Sequence, residues 1–242
     1  LVSLFWIAMV VAACSAALHI YLIRSQLILT FSRKYAKEIV RLGLPALAHS
    51  LAYWGLTSLD VVLLKRMSTA NELGLYFFAY QFGFLFNGFV AAYAMAWLPH
   101  QLRWLAERGE ETVLPPRLLR PFKTGILGLG VAALALVLFA PEAQRILAPE
   151  EYLASLPAIP WVVLGYLFLL LYYVLSGIPR FAKRHKYLAL CTISSALFNG
   201  VANVLLIPNY GMMGAAVSTA LSYGLLFLGT WWVARQSVPV RI

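Results

Sequence analysis

Charge is what this 242-residue sequence has least of: 12% of its residues are charged, and only nine are acidic. Soluble domains carry about 25% charged and about 45–50% apolar residues; here hydrophobic residues reach 62%. A soluble core of this size cannot hide that much apolar surface, whereas a bilayer can. The composition excludes a disordered chain, a coiled coil and a water-soluble enzyme. Cysteine is nearly absent. Cys14 and Cys191 both sit in apolar runs, with no CxxC and no Cys/His cluster. That excludes a secreted disulfide scaffold and leaves no metal or redox motif, so both read as buried thiols. No carboxylate pair lies in an apolar run, and no nucleophile elbow or glycine-rich phosphate loop occurs. The expectation is therefore no enzyme and no cofactor. Residues 1–23 lack the basic leader and small-residue cleavage site of a signal peptide. A start at Leu1, already inside an apolar run, points to a piece of a longer chain.

Long apolar runs, by contrast, are plentiful. A spanning helix needs about 20 mainly apolar residues, and seven stretches qualify: 1–23, 43–64, 73–98, 124–141, 157–178, 187–207 and 212–233. They show no period-2 alternation, so they predict helices and not a β-barrel. The predicted fold is an all-α polytopic membrane protein with seven transmembrane helices.

Net charge is +10, which in another setting would suggest nucleic acid. The positions argue otherwise. Loop 24–42 carries five cations (Arg24, Arg33, Lys34, Lys37, Arg41) and loop 99–123 another five (Arg103, Arg108, Arg117, Arg120, Lys123). Loop 179–186 has Arg180, Lys183, Arg184 and Lys186, and the tail has Arg235 and Arg241. The alternate loops hold only Lys65, Arg66 and Arg145. Sixteen against three is a strong positive-inside signal. It predicts a multi-pass membrane protein with Leu1 outside, Ile242 in the cytoplasm, and no nucleic acid as partner.

In 24–42, Ile28, Phe31, Tyr35, Ile39 and Leu42 repeat at threes and fours between cations, which predicts an amphipathic connector on the inner leaflet. Pro141 to Pro149 predicts an interfacial turn of helix, and Pro208-Asn209-Tyr210-Gly211 a tight turn.

Polar groups inside spans are costly and therefore informative. His49, Tyr53, Thr57 and Asp60 fall on one face of the second span. Asp60 is the only carboxylate within a span. Two readings stand: it lines a water-filled cavity and binds a proton, cation or sugar hydroxyl, or it pairs with Lys65 or Arg66 at the headgroup boundary. Tyr76, Tyr80, Gly83 and Asn87 share a face of the third span, as pathway lining or as an aromatic belt. Asn199 and Asn203 read as interhelical glue, and Gly211 and Gly214 open the last span with small residues for close packing.

Several of these stretches resemble a known family. They are Gly43-Leu44-Pro45, Ser58-Leu59-Asp60, Leu73 to Tyr80, Ala96-Trp97-Leu98-Pro99, Glu151-Tyr152-Leu153-Ala154 and, most of all, Asn199 to Ser218. In this order they are similar to the O-antigen flippase-like branch of the multidrug/oligosaccharidyl-lipid/polysaccharide exporters, over Arg41 to Tyr223. The family often places arginine after the aspartate, where Val61 stands here. The resemblance implies two six-helix lobes around a central cavity. Residues 1–23 would be the last helix of the N-terminal lobe and 24–42 the cytoplasmic connector. Residues 43–233 would be the C-terminal six-helix lobe, and 234–242 a cytoplasmic tail.

The function implied is flipping of a lipid-linked oligosaccharide on polyprenyl pyrophosphate by alternating access, for lipopolysaccharide or exopolysaccharide biosynthesis. Its partners would be that substrate, membrane lipids, the N-terminal lobe of the same chain and a polysaccharide polymerase complex. His49, Tyr53, Thr57, Asp60, Tyr76, Tyr80 and Asn87 would line the path. A pyrophosphate needs cations, which Lys65, Arg66 or the other lobe would supply. Alternatives are a cation-coupled drug exporter or lipid II flippase of the same superfamily and a non-transporting scaffold. A glycosyltransferase would need a larger outer loop than any seen here.

Overall fold

The computed structural model describes residues 2–26, 32–107 and 115–237, and every regular element among them is helical. The chain divides into two compact units, Leu1–Leu42 and Gly43–Ile242. In the first, α1 (Val2–Ile23) is long and apolar enough to cross a bilayer. The 3₁₀ turn Arg24–Gln26 follows it, and the Arg24 guanidinium lies 4.2 Å above the Tyr21 ring. Of the expected amphipathic connector, Ile28 and Phe31 lie outside the described residues. Tyr35 and Ile39 are exposed on a helix that starts at Arg33.

That helix is α2 (Arg33–Met67); α3 (Ala70–Glu107), α4 (Pro116–Leu138), α5 (Ala140–Leu147), α6 (Ile159–Phe181) and α7 (His185–Ser237) follow. A 3₁₀ segment, Glu150–Ala158, leads into α6. Among the described residues, six helices are long and apolar enough to span a membrane. The last has 53 residues, about 80 Å at 1.5 Å per residue, far beyond a hydrocarbon core of about 30 Å. It is broken at Gly211 (φ 51°, ψ −128°) into two halves, each long enough to cross. Seven spans result, as the apolar runs predict.

The break is held by specific chemistry. Gly211 adopts a backbone conformation that side chains disfavour. The next amide, Met212 N–H, donates to Glu72 Oε2 at 2.7 Å. Glu72 stands in the first turn of α3, where its own N–H donates to Thr69 Oγ1 at 3.2 Å, a helix N-cap. At Gly214 the two halves of α7 approach so closely that a Cβ would lie 2.6 Å from the Leu206 carbonyl oxygen.

Two boundaries differ from the reading of the sequence. Residues 99–123 are not one loop: α3 continues to Glu107 and α4 begins at Pro116. Pro99 does not stop α3, although an interior proline costs about 3 kcal/mol. The residues around it are anchored: Trp104 and Leu105 are buried, and Trp97 Nε1 and Gln101 Nε2 donate to the Val174 carbonyl at 3.2 and 2.9 Å. At α4, Pro116 sits at the helix start, where its missing N–H costs nothing. Phe122 packs on Trp97 with ring centroids 5.2 Å apart, which winds 116–123 into the helix.

Within Gly43–Ile242, α6 is the central element. Val162, Tyr166, Leu169, Val174 and Ile178 are buried on several sides of it, with α3 and α7 packed alongside. The outer faces are apolar too. Leu127, Val131, Leu134 and Leu138 form an exposed stripe on α4, as expected where the solvent is lipid.

Candidate functional site

The polar face of α2 turns inward. His49 and Tyr53 are half-buried and Asp60 is fully buried. The Asp60 carboxylate receives three donors: Tyr76 Oη and Thr219 Oγ1 (3.3 Å) on Oδ2, and Val61 N–H (2.8 Å) on Oδ1. This triad joins α2, α3 and α7. Asp60 does not pair with Lys65 or Arg66, which are exposed in the last turn of α2. There they complement the negative end of the helix dipole. Tyr76 and Tyr80 are not an aromatic belt either. Tyr76 is fully buried, and Tyr80 packs on Tyr76 (5.4 Å) and edge-on to Tyr166 (6.0 Å).

The seam continues along α6 and α7. Tyr166 lies tilted against Tyr223 (6.2 Å), and the hydroxyls of Tyr53 and Tyr173 are 3.0 Å apart. His49 Nδ1 lies 2.8 Å from Thr192 Oγ1, and its Nε2 is 3.5 Å from Tyr172 Oη. Thr192 has one hydroxyl hydrogen. With that hydrogen on the Leu188 carbonyl (3.0 Å), Nδ1–H of His49 is the donor and Nε2 is left to accept from Tyr172.

The remaining expected residues are placed as follows. Thr57 bonds its own helix at the Trp54 carbonyl (3.0 Å). Asn87 is half-buried, and its Oδ1 has no partner among the described residues. Asn203 Nδ2 donates to Asn199 Oδ1 at 3.0 Å, and Ser218 Oγ donates to Asn203 Oδ1, tying the two halves of α7 together.

One residue that sequence reasoning assigned to a loop belongs here. Arg180, in the last turn of α6, borders an open cleft of about 260 Å³. Tyr173 and Ser176 share its wall, and Ala91, Ala94, Met95 and Leu98 of α3 form the other side. The guanidinium lies beside Tyr172. The signal was present in the spacing: Tyr173, Ser176 and Arg180 stand at i, i+3 and i+7, one helical face. It was masked because an arginine at the end of an apolar run reads as topogenic charge. Chemically, the arrangement offers a cation for oxyanions next to an apolar wall; the Ser176 hydroxyl gives its hydrogen to the Tyr173 carbonyl (3.0 Å), which leaves its oxygen as an acceptor.

Fold and site together define a multi-pass all-α membrane protein with a buried polar seam and an amphiphilic cleft. Residues 1–103 match the polysaccharide biosynthesis protein family, which includes O-antigen flippases; the resemblance read from the motifs has independent support over that range. An uncharacterized membrane protein of Methanocaldococcus jannaschii, MJ1068, is 29% identical over 138 residues, which cover 54% of this chain and 26% of the relative. The chain thus spans about a quarter of the length of the curated relative it matches. No solved structure matches.

Proposed function

We propose that this chain is part of a flippase that moves a lipid-linked oligosaccharide, of the polyprenyl-pyrophosphate type, across the bacterial inner membrane. The observation that carries this reading is the Arg180 cleft, in which a cation and two hydroxyl-bearing residues face an apolar wall. A headgroup of phosphate and sugar with a hydrocarbon tail has the matching distribution of polarity. The family match over residues 1–103 supports the same class of cargo. In this reading the Gly43–Ile242 unit is one lobe, the second lobe lies in the rest of the protein, and the two rock about a cavity that Arg180 borders. The cation-rich loops face the cytoplasm, so Arg180 meets the pyrophosphate on the side where the lipid-linked sugar is assembled.

The test is Arg180→Gln in the full-length protein, reconstituted in liposomes with a lipid-linked oligosaccharide whose sugar is scored by access of an external glycosidase. A charge-assisted hydrogen bond contributes about 1.5–3 kcal/mol, so apparent affinity should fall roughly 10- to 100-fold, with Arg180→Lys intermediate. Wild-type translocation by Arg180→Gln at equal protein level would refute the assignment.

A further inference from the structure

At the edge of the Arg180 cleft one hydrogen-bond donor is left over. Tyr53 Oη on α2 and Tyr173 Oη on α6 lie 3.0 Å apart. Two phenols bring two hydrogens and share one bond, so one hydrogen remains. Neither hydroxyl has another partner among the described residues. A donor without an acceptor is costly inside a membrane, so the order of donation matters. Tyr53 sits within the seam, its ring stacked on His49 at 6.4 Å, whereas Tyr173 lines the open cleft with Ser176 and Arg180. Donation from Tyr53 to Tyr173 is the order that leaves the spare hydrogen where an acceptor can reach it.

Spacing separates this donor from the cation. Tyr173 and Arg180 share one face of α6, about 10 Å apart along the axis at 1.5 Å per residue. A single phosphate held by the guanidinium does not reach that far. The two groups also differ in kind. Arginine presents five charged donors suited to an oxyanion, whereas a phenol presents one uncharged donor to one oxygen. Between them the Ser176 oxygen, its hydrogen already given to the Tyr173 carbonyl at 3.0 Å, can only accept. On the α3 side of the cleft, Ala91 and Ala94 are small and carry no polar side-chain atom, which leaves width for a ring. The complement of this wall is an anionic group joined to one that bears neutral hydroxyls.

We propose that the Tyr173 hydroxyl, oriented by Tyr53, binds the cargo sugar next to the pyrophosphate, so that the cleft distinguishes a loaded lipid carrier from a bare one. This rests on the proposed function, in which Arg180 takes the pyrophosphate. Tyr173 is the contact. Tyr53 is a positioning residue, which fixes where the Tyr173 hydrogen points and touches no cargo itself.

The full-length protein is reconstituted in liposomes and two concentrations are measured. The first is that of a lipid-linked oligosaccharide giving half-maximal translocation. The second is that of bare polyprenyl pyrophosphate halving translocation as a competitor, with cargo held at each variant's own half-maximal concentration. Tyr173→Phe should raise the first roughly 2- to 10-fold, the loss of one uncharged hydrogen bond, and leave the second unchanged. Tyr53→Phe breaks the same bond between the tyrosines but keeps the Tyr173 hydroxyl. It should unfold at the same temperature as Tyr173→Phe and raise the first concentration less. Arg180→Gln should raise both. Wild-type values for Tyr173→Phe would overturn the sugar contact. So would an equal rise in both concentrations, which would place Tyr173 on the pyrophosphate, or an equal effect of the two phenylalanine variants, which would assign it to the broken bond. If Arg180→Gln changes neither concentration while Tyr173→Phe raises only the first, the pyrophosphate assignment fails and the sugar contact stands.

Discussion

The break in α7 makes a sharp prediction about stability. In Gly211→Ala, the added methyl group meets two separate penalties. The backbone at φ 51°, ψ −128° is essentially a glycine conformation, and imposing it on alanine costs about 1–3 kcal/mol. The methyl carbon would also lie 2.5 Å from Glu72 Oε2, the atom that accepts Met212 N–H at 2.7 Å. That charge-assisted bond, at about 1.5–3 kcal/mol, has to open. The sum is roughly 3–6 kcal/mol, and at about 2–4 °C per kcal/mol for a chain of this length thermal unfolding should come at least about 6 °C earlier. The assay is thermal unfolding of the purified full-length protein in one detergent, with Gly128→Ala as control. Gly128 is an exposed helical position with nothing within 4 Å of an added Cβ, so alanine there should be neutral or stabilising by up to about 1 kcal/mol. The second penalty is the loss of the Glu72 bond, which Gly211→Ala already incurs, so Glu72→Ala added to Gly211→Ala should cost little more than Gly211→Ala alone. If Gly211→Ala and Gly128→Ala unfold together, or if the Glu72 and Gly211 effects simply add, the account of the break is wrong.

Two further outcomes are expected. Asp60→Asn keeps an acceptor for Tyr76 and Thr219 and should cost about 1 kcal/mol, whereas Asp60→Ala strands both hydroxyls and should cost about 2–4 kcal/mol; equal unfolding temperatures for the two variants would remove the triad as a structural anchor. For sidedness, single cysteines in a background lacking Cys14 and Cys191 are labelled with a membrane-impermeant maleimide. Lys65→Cys should label in intact cells and Lys186→Cys only after permeabilisation (both positions are exposed), and the reverse pattern would invert the proposed orientation.

The spans were legible because each is a property of its own residues: twenty apolar side chains in a row need no partner to be recognised. Their ends were less so. Pro99 reads as a helix stop, and what carries α3 past it is burial of Trp104 and Leu105 and bonds to Val174, some seventy residues away. The same limit governs the polar seam. Period placed His49, Tyr53 and Asp60 on one inward face, yet period cannot choose between Lys65, five residues on, and Thr219, 159 residues on. The local candidate was the wrong one because Asp60 lies inside the helix packing and Lys65 at its surface. Glu72 shows the intermediate case. Thr69-Ala70-Asn71-Glu72 has the spacing of a capping box, so a carboxylate seeking an amide was readable, but the amide it finds belongs to α7.

Hydrogen-bond capacity then separates the two ends of the seam. Between helices in lipid, apolar burial favours no particular partner, and polar bonds and close backbone contacts decide the packing. At Asp60 that capacity is committed: both oxygens are occupied, and Tyr76, Val61 and Thr219 are turned toward them. A group so satisfied holds helices together and has little left to offer a ligand without breaking what it holds. Arg180 is the opposite case. Its guanidinium has five donors, no carboxylate partner among the described residues, and an open cleft in front of it. The seam therefore divides between an anchor at Asp60 and, in the proposed function, a cargo contact at Arg180, and this division has its own signature. Asp60 variants should shift the unfolding temperature more than the substrate concentration needed for half-maximal translocation, and Arg180 variants the reverse. If Asp60→Asn weakened substrate affinity as strongly as Arg180→Gln while leaving stability unchanged, both ends would be contacting cargo, and the triad would have to open during the transport cycle.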